Sequence, residues 1–302
     1  MEIKNYNLED RFYNFQVDYV KLSLEVTNRE EIQWENLKAH PNLRNHYILN
    51  PDLSENAKNF SIYFRKDNYV FIKFSIPYFL QGHNHSSIGV VELREVEWKL
   101  KKWINIDIKY AQVEEFEYGM FEKIEIDCKK YLNGVLSISD YNLEKSDPHF
   151  KMFGVPKQKM HYKLYDAVAN SKSKKTFSKG NFPNDKLIKH ELKFEKVYQF
   201  FNFNFLYRDL YETTYITDDC KKLLLGNRHK LVIRQDLEFI PQKEDLSNIL
   251  FTALKNLEPS SKYGSITKLL YEIIDRTKLS PSQKSKRRKS IEMLEEKYNL
   301  PF

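Results

Sequence analysis

A chain of 302 residues can build one large domain or two modest ones, and 41% apolar with 15% aromatic content excludes a disordered chain. A net charge of +7 points to a polyanionic partner, nucleic acid first and an anionic membrane surface second. Cys128 and Cys220 lie far apart with no metal-ligand spacing, which excludes a disulfide framework and a zinc finger.

The first segment, "MEIKNYNLEDRFYNF", is charged and has no apolar stretch of signal-peptide type, and no apolar run is long enough to span a bilayer. The expectation is a cytoplasmic protein with no membrane partner. Phe12 to Val26 alternates apolar and polar, the period of a half-buried strand. Asn59 to Ile76 reads as a hairpin joined at Lys66-Asp67-Asn68. "FIKFSIPYFLQGHNHSS" continues that strand into a turn at "QGHNHSS", with Ser86 and Ser87 as candidate caps of a helix from about Val90 to Trp103.

"IDIKYAQVEEFEYG" is the next strand. Strict alternation places Val113, Glu115 and Glu117 on one face and Gln112, Glu114 and Phe116 on the other. Two more strands, Lys159 to Val168 and Lys186 to Val197, flank the polar, basic loop "ANSKSKKTFSKGNFPND". After about Asn204 the segments "TDDCKKLLLG", "EDLSNILFTALKNL", "SITKLLYEIIDRT" and "SPSQKSKRRKSIEMLEEKY" read as helices. The fold class expected is α+β. An antiparallel-sheet body with flanking helices, residues 1–204, is followed by a helical C-terminal region, residues 205–302.

Polar residues interrupt the strands at telling places: Glu117 with Glu115, Tyr165, Glu191, and His83 on the turn. A histidine with two carboxylates is a ligand type for Mg²⁺ or Mn²⁺. A tyrosine beside such a cation can attack a phosphodiester. Lys163, Lys172, Lys174 and Lys175, near Tyr165 in sequence, would hold a nucleic-acid backbone. Residue types alone go no further than an α+β protein suited to nucleic acid.

"IKFSIPYFLQGHN" closely resembles a segment of the gene II replication initiators of filamentous phages, with "LQGHN" intact (Leu80 to Asn84). "VEEFE", "HYKLYDA" and "LIKHELKFE" follow in the same order and resemble that family's acidic strand, tyrosine strand and late Glu strand. The likeness covers roughly residues 59–200 and fades beyond 205. It implies a phage or plasmid rolling-circle initiator. Such an enzyme nicks origin DNA, stays joined to the 5′ phosphate through tyrosine, and later rejoins the displaced strand.

Carried over, Tyr165 is the nucleophile, Glu191 the late acid and His83 the motif histidine. Glu117 is preferred as the middle acid, with Glu115 as fallback on the same face. Residues 1–204 become the nicking domain. The helical region would contact the origin or host helicase and replication proteins, and the partners implied are duplex origin DNA and single-stranded DNA. Asn84 and Lys193 join the DNA-contacting set. The sequence departs from the family in placing Glu115 where a basic residue is usual and in delaying the first lysine after Tyr165 to Lys172.

Other readings stay open. His83 and His85 could be a metal-binding pair two apart on a strand, although Asn84 between them is polar. Asn84 and Gln81 could simply close the turn. Tyr162 is a rival nucleophile, but three residues along a strand puts it on the opposite face from Tyr165. The basic run containing Lys286, Arg287 and Arg288 is either a solvated helix face or a phosphate-contacting one. A non-catalytic relative that binds single-stranded DNA and regulates replication is the alternative function.

Overall fold

The computed structural model describes residues 11–54, 56, 59–65, 68–155, 158–176, 186–233, 251, 254 and 265–299. The chain forms two compact units, Met1–Asn133 with Ser137–Leu231, and Gly134–Leu136 with Val232–Phe302. The division expected from composition at 204/205 therefore falls inside the first unit.

That unit is built on a wholly antiparallel sheet of ten strands among the described residues. In chain order the strands are β1 (Phe12–Glu25), β2 (Leu37–Ala39), β3 (His46–Leu49), β4 (Phe60–Phe64), β5 (Tyr69–Ser75), β6 (Gln112–Lys123), β8 (Asn142–Asp147), β9 (Phe150–Val155), β10 (Met160–Asp166) and β11 (Leu187–Phe194). Short β7 (Val135–Ile138) pairs instead with β12 (Leu231–Ile233). The spatial order of the large sheet is β2-β3-β4-β5-β1-β6-β11-β10-β9-β8, so the two strands richest in predicted site residues, β10 and β11, are neighbours beside β6.

Period-two alternation gives this sheet two unlike faces. One face collects Val20, Leu22, Phe60, Ile62, Ile72, Phe74, Phe116, Leu164, Leu192 and Phe194, all buried. Phe116 stacks on Phe194 with ring centroids 4.8 Å apart, and Phe201 and Phe205 close around them. Short α5 (Val197–Phe201) and the longer α7 (Tyr215–His229) pack onto β6. Between them α6 (Asp209–Glu212) meets α2 (Val90–Ile104). The other face carries most of the polar residues. In the second unit, α8 (Ile266–Arg276) and α9 (Pro281–Asn299) pair side by side, with Thr267 donating to Glu295 at 2.9 Å.

Three expectations change. The strand after Lys73 does not run into a turn: "IPYFLQ" forms a short helix, α1 (Ile76–Gln81). Pro77 presets the first turn, and Gly82 closes the helix at φ +74°, donating its N–H to the Tyr78 carbonyl at 3.1 Å. Neither Ser86 nor Ser87 caps α2. Gly89 holds that position and donates to Glu92 Oε2 at 2.8 Å, while Ser87 reaches Asn14. The first N–H of the helix is thus taken by the helix's own carboxylate.

The third change is the phase of β6. Lys21 pairs with Glu115 but Leu22 with Val113, so Glu114 is the extra residue of a β-bulge. Val113 consequently lies buried opposite Leu22, and not beside Glu115 and Glu117. Glu114 bonds Ser23, on the face of Lys21, and not on the opposite face that strict alternation gave it. Lys66 and Asp67 of the hairpin turn, residues 177–185 of the basic loop, and most of the helix predicted over 244–257 lie outside the described residues.

Candidate active site

Because side chains alternate, His161, Lys163 and Tyr165 of β10 share a face with Lys189, Glu191 and Lys193 of β11, paired Lys163↔Glu191 and Tyr165↔Lys189. Next to them β6 contributes Glu117 and Gly119, the latter paired with Glu191. A second bulge, on β1, completes the group. Val17 pairs with Tyr118 and Tyr19 with Glu117, leaving Asp18 as the extra residue, turned onto the same face as Tyr19.

The result is an alternation of acids and ammonium groups around one hydroxyl. Lys163 Nζ lies 2.7 Å from Glu117 Oε1 and 3.4 Å from Glu191 Oε2. Lys189 Nζ, fully buried, lies 2.6 Å from Asp18 Oδ2 and 3.5 Å from Glu191 Oε1. Tyr165 donates its hydroxyl to Glu191 Oε1 at 2.5 Å. Gly119 makes room for this: a Cβ there would stand 2.6 Å from Asp18 Oδ2 and 3.1 Å from Glu191 Cγ.

Asp18, Glu117, Lys163, Tyr165 and Glu191 line a cavity of about 570 Å³ on the open face of the sheet, with Lys189 buried beneath them. Its wall is completed by Tyr78 of α1, Asn84 of the following loop, His149 and Phe150 of the β8–β9 region, and Asn170 and Lys174. Asn170 belongs to α4 (Ala167–Ser173), which starts directly after Tyr165 because Asp166 caps it, accepting from the Ala169 N–H at 2.9 Å. Lys174 sits over the Tyr78 ring, 4.8 Å from its centroid.

Charges in this setting leave their ordinary ranges. Burial pushes Glu191 up, but Lys163 and Lys189, with the hydrogen bond from Tyr165, outweigh it and hold the carboxyl down to about 2. Burial and the Glu191 charge raise Glu117 despite Lys163, and burial raises Asp18 despite Lys189. Burial, then the charge of Glu191, raises Tyr165 well above its ordinary value, so the resting phenol is neutral.

Of the residues named from sequence, Tyr165, Lys163, Glu117, Glu191, Asn84 and Lys174 come together in this cavity. Glu115 stands one step along the same strand face, but Lys21 holds it at 2.7 Å. His83 and His85 lie in the loop after α1, not on a strand, with rings stacked 5.1 Å apart. Neither is among the residues lining the cavity. His83 Nδ1 accepts the His85 N–H, and His85 Nε2 meets Ser171 Oγ of α4 at 3.2 Å. Burial, then the charges of His83 and Lys189, lower His85 to about 4, so it is neutral at ordinary pH. Through Ser171, His85 fastens this loop to α4.

Tyr162 is fully buried on the opposite face, where its hydroxyl donates to His190 Nδ1 at 2.6 Å. Lys193 turns to Glu195 at 3.0 Å. Lys172 and Lys175 are exposed around the end of α4. In the second unit Lys286 and Arg287 are exposed on α9, and Arg288 pairs with Asp275.

Among the described residues, no three His, Cys, Asp or Glu side chains are arranged to hold a metal ion. The donor chemistry of Asp18, Glu117 and Glu191 suits a hard cation, but the positions between these carboxylates are taken by the ammonium groups of Lys163 and Lys189. As arranged, the residues do not fit the cation expected from sequence.

Two functional residues escaped sequence reasoning, Asp18 and Lys189. The signal for Asp18 was a phase break in β1, where buried apolar residues fall at Val17, then Val20 and Leu22. Lys189 is the first basic residue of "LIKHELKFE". On the far face lies a second buried cluster that the sequence did not announce. Glu122, fully buried, accepts from Arg228 Nε and Nη2 at 2.7 Å each, from His190 Nε2 at 2.7 Å and from Tyr131 at 3.1 Å, and pairs with Arg11 at 2.6 Å.

No protein-family model matches the chain, and no curated protein matches it. Among solved structures it is similar to the rolling circle replication initiator protein from Geobacillus stearothermophilus, with a TM-score of 0.38 and 12% identity over 76% of this chain and 89% of that one. Among the described residues, no helix is long and apolar enough to cross a membrane.

Proposed function

We propose that this chain initiates rolling-circle DNA replication by nicking one strand of origin DNA through Tyr165 and later rejoining it. The observation that carries the reading is the Tyr165 hydroxyl bonded to Glu191 on the floor of an open, lysine-bearing cavity. The sequence resemblance at "LQGHN" and at the strands of Tyr165 and Glu191 supports the same assignment.

In this reading a scissile phosphate enters beside Lys163 and Lys174. Tyr165 Oη attacks phosphorus while its proton passes to Glu191 Oε1. The bond from phosphorus to the 3′ oxygen breaks, and that oxygen takes a proton from the Lys163 ammonium. The products are a 5′-phosphotyrosine and a free 3′ hydroxyl, and the reverse sequence rejoins the strand. Tyr165 is neutral at rest, so proton removal must accompany attack. Glu191 is a weak base while both lysines hold it. A phosphate that draws Lys163 away makes Glu191 more basic as the substrate arrives.

No step is routed through a metal. A Mg²⁺ or Mn²⁺ requirement is proposed only as an ion that enters with the DNA phosphate, since Lys163 and Lys189 already stand between the carboxylates. Host helicase or replication proteins are proposed partners of the exposed basic residues of α9.

The test is relaxation of supercoiled origin plasmid by wild-type and Tyr165→Phe protein. Relaxation by wild type alone supports the reading. Tight single-strand binding with no relaxation by either would make the chain a non-catalytic regulator of replication.

A further inference from the structure

The open face of the sheet runs on from the cavity into residues that neither the core nor this chemistry explains. Ser75, in the cavity wall, pairs with Tyr19. Two residues along, Lys73 pairs with Lys21 and Ser61, then Phe71 with Ser23 and Tyr63, and Tyr63 with His46. By alternation all of these stand on the same side as Tyr165 and Glu117.

Their rings are nearly parallel. His46 and Tyr63 lie 4.5 Å apart at 26°, and Tyr63 and Phe71 lie 6.5 Å apart at 29°. Lys21 Nζ and the Arg65 guanidinium each stand 6.0 Å from the Phe71 centroid. The strip lines a hollow of about 340 Å³ together with Ser61 and Lys73. Strands β4 and β5 already bury Phe60, Ile62, Phe64, Val70, Ile72 and Phe74 on the other side. Three half-buried rings on the open side are therefore surplus to folding, and the cations beside them suit an anionic backbone.

We infer that this strip is a subsite for unpaired bases of a DNA strand whose backbone continues into the Tyr165 cavity. Bases stack on Tyr63 and Phe71, and Arg65 and Lys73 face the phosphates, while Lys21 stays paired with Glu115. Stacking needs only a base's π-face, so the strip takes single strands of many sequences and rejects duplex, whose bases are already stacked. The inference deepens the proposed nicking function and rests on it.

The experiment measures binding of fluorescein-labelled oligo(dT), and of the same strand in duplex, to Tyr165→Phe protein, which cannot cleave. Tyr63→Leu and Phe71→Leu are added to it, as leucines that keep the sheet face apolar, and a thermal melt confirms folding. The expected result is single-strand affinity weakened about tenfold or more by the double change, with duplex affinity unchanged. A folded double variant that loses less than about twofold, or loses duplex and single strand alike, overturns the inference. Failure of the plasmid relaxation test leaves this measurement untouched, so the two readings fail separately.

Discussion

Glu122→Gln is expected to cost the first unit about 3–5 kcal/mol, the usual penalty for removing one partner from a buried ion pair. Oε1 faces guanidinium groups of Arg228 and Arg11, and Oε2 faces His190, Arg228 and Tyr131. Whichever way a glutamine amide turns, its NH₂ meets donors and leaves an Arg228 N–H without its acceptor. Net stabilities are only about 5–15 kcal/mol, and about 2–4 °C is lost per kcal/mol in a unit of this size, so the melting temperature should fall by roughly 6–20 °C.

Trp34, Trp98 and Trp103 all belong to the first unit, so tryptophan fluorescence during thermal and urea unfolding reports on it selectively. The pH dependence has a definite sign. Burial raises Glu122, but hydrogen bonds from His190 and Arg228 hold its folded carboxyl well below 4.5. Its contribution is present above that unfolded value and is lost as the pH falls toward the folded one. His190, lowered from 6.5 mainly by burial, works in the same direction, since the unfolded imidazole gains a proton that the folded one refuses. Wild-type stability should therefore decline below pH 6.5 through His190 and further below pH 4.5 through Glu122, and the variant should lack the second decline. A loss under about 1 kcal/mol, or equal acid slopes in the two proteins, would refute the reasoning.

Glu191→Gln should slow nicking by about 10²–10⁴, the usual contribution of a positioned general base, with single-strand affinity kept; a loss under about tenfold would remove Glu191 from the base role. Gly119→Ala places a Cβ 2.6 Å from Asp18 Oδ2 and 3.1 Å from the His190 carbonyl. It should destabilise by about 1–3 kcal/mol and impair nicking, and a fully active variant would show that the site floor is not tightly held. Calorimetric titration of Mn²⁺ into DNA-free protein should detect no site, with binding appearing only when DNA is present; tight binding to free protein would contradict the lysine-occupied arrangement.

The α+β class and the strand-rich body were legible because β1, β5, β6, β10 and β11 alternate strongly. The strand β8, "NLEKSD", is exposed at every residue, carries Leu143 as its one apolar side chain, and left no periodic signal. Tyr165, Lys163, Glu191 and Glu117 stood out as polar residues on strands, but the family resemblance and not their pattern selected them; they share one cavity. Asp18 and the true position of Val113 were not legible, because each depends on a one-residue bulge that resets the phase, and strict alternation carries no count of extra residues. His83 was named as a ligand from the resemblance at "LQGHN", and the position of its loop was not legible from strand pattern. The helix "IPYFLQ" intervenes and directs the His83–His85 loop to Asn14 and α4 instead.

The most direct measurement is peptide mapping, by mass spectrometry, of the protein–DNA adduct formed when wild-type protein meets origin DNA. The account predicts a single nucleotide-bearing peptide modified at Tyr165 and no adduct from the Tyr165→Phe protein. An adduct at Tyr162 or elsewhere, or nicking that persists in the phenylalanine variant, would contradict it.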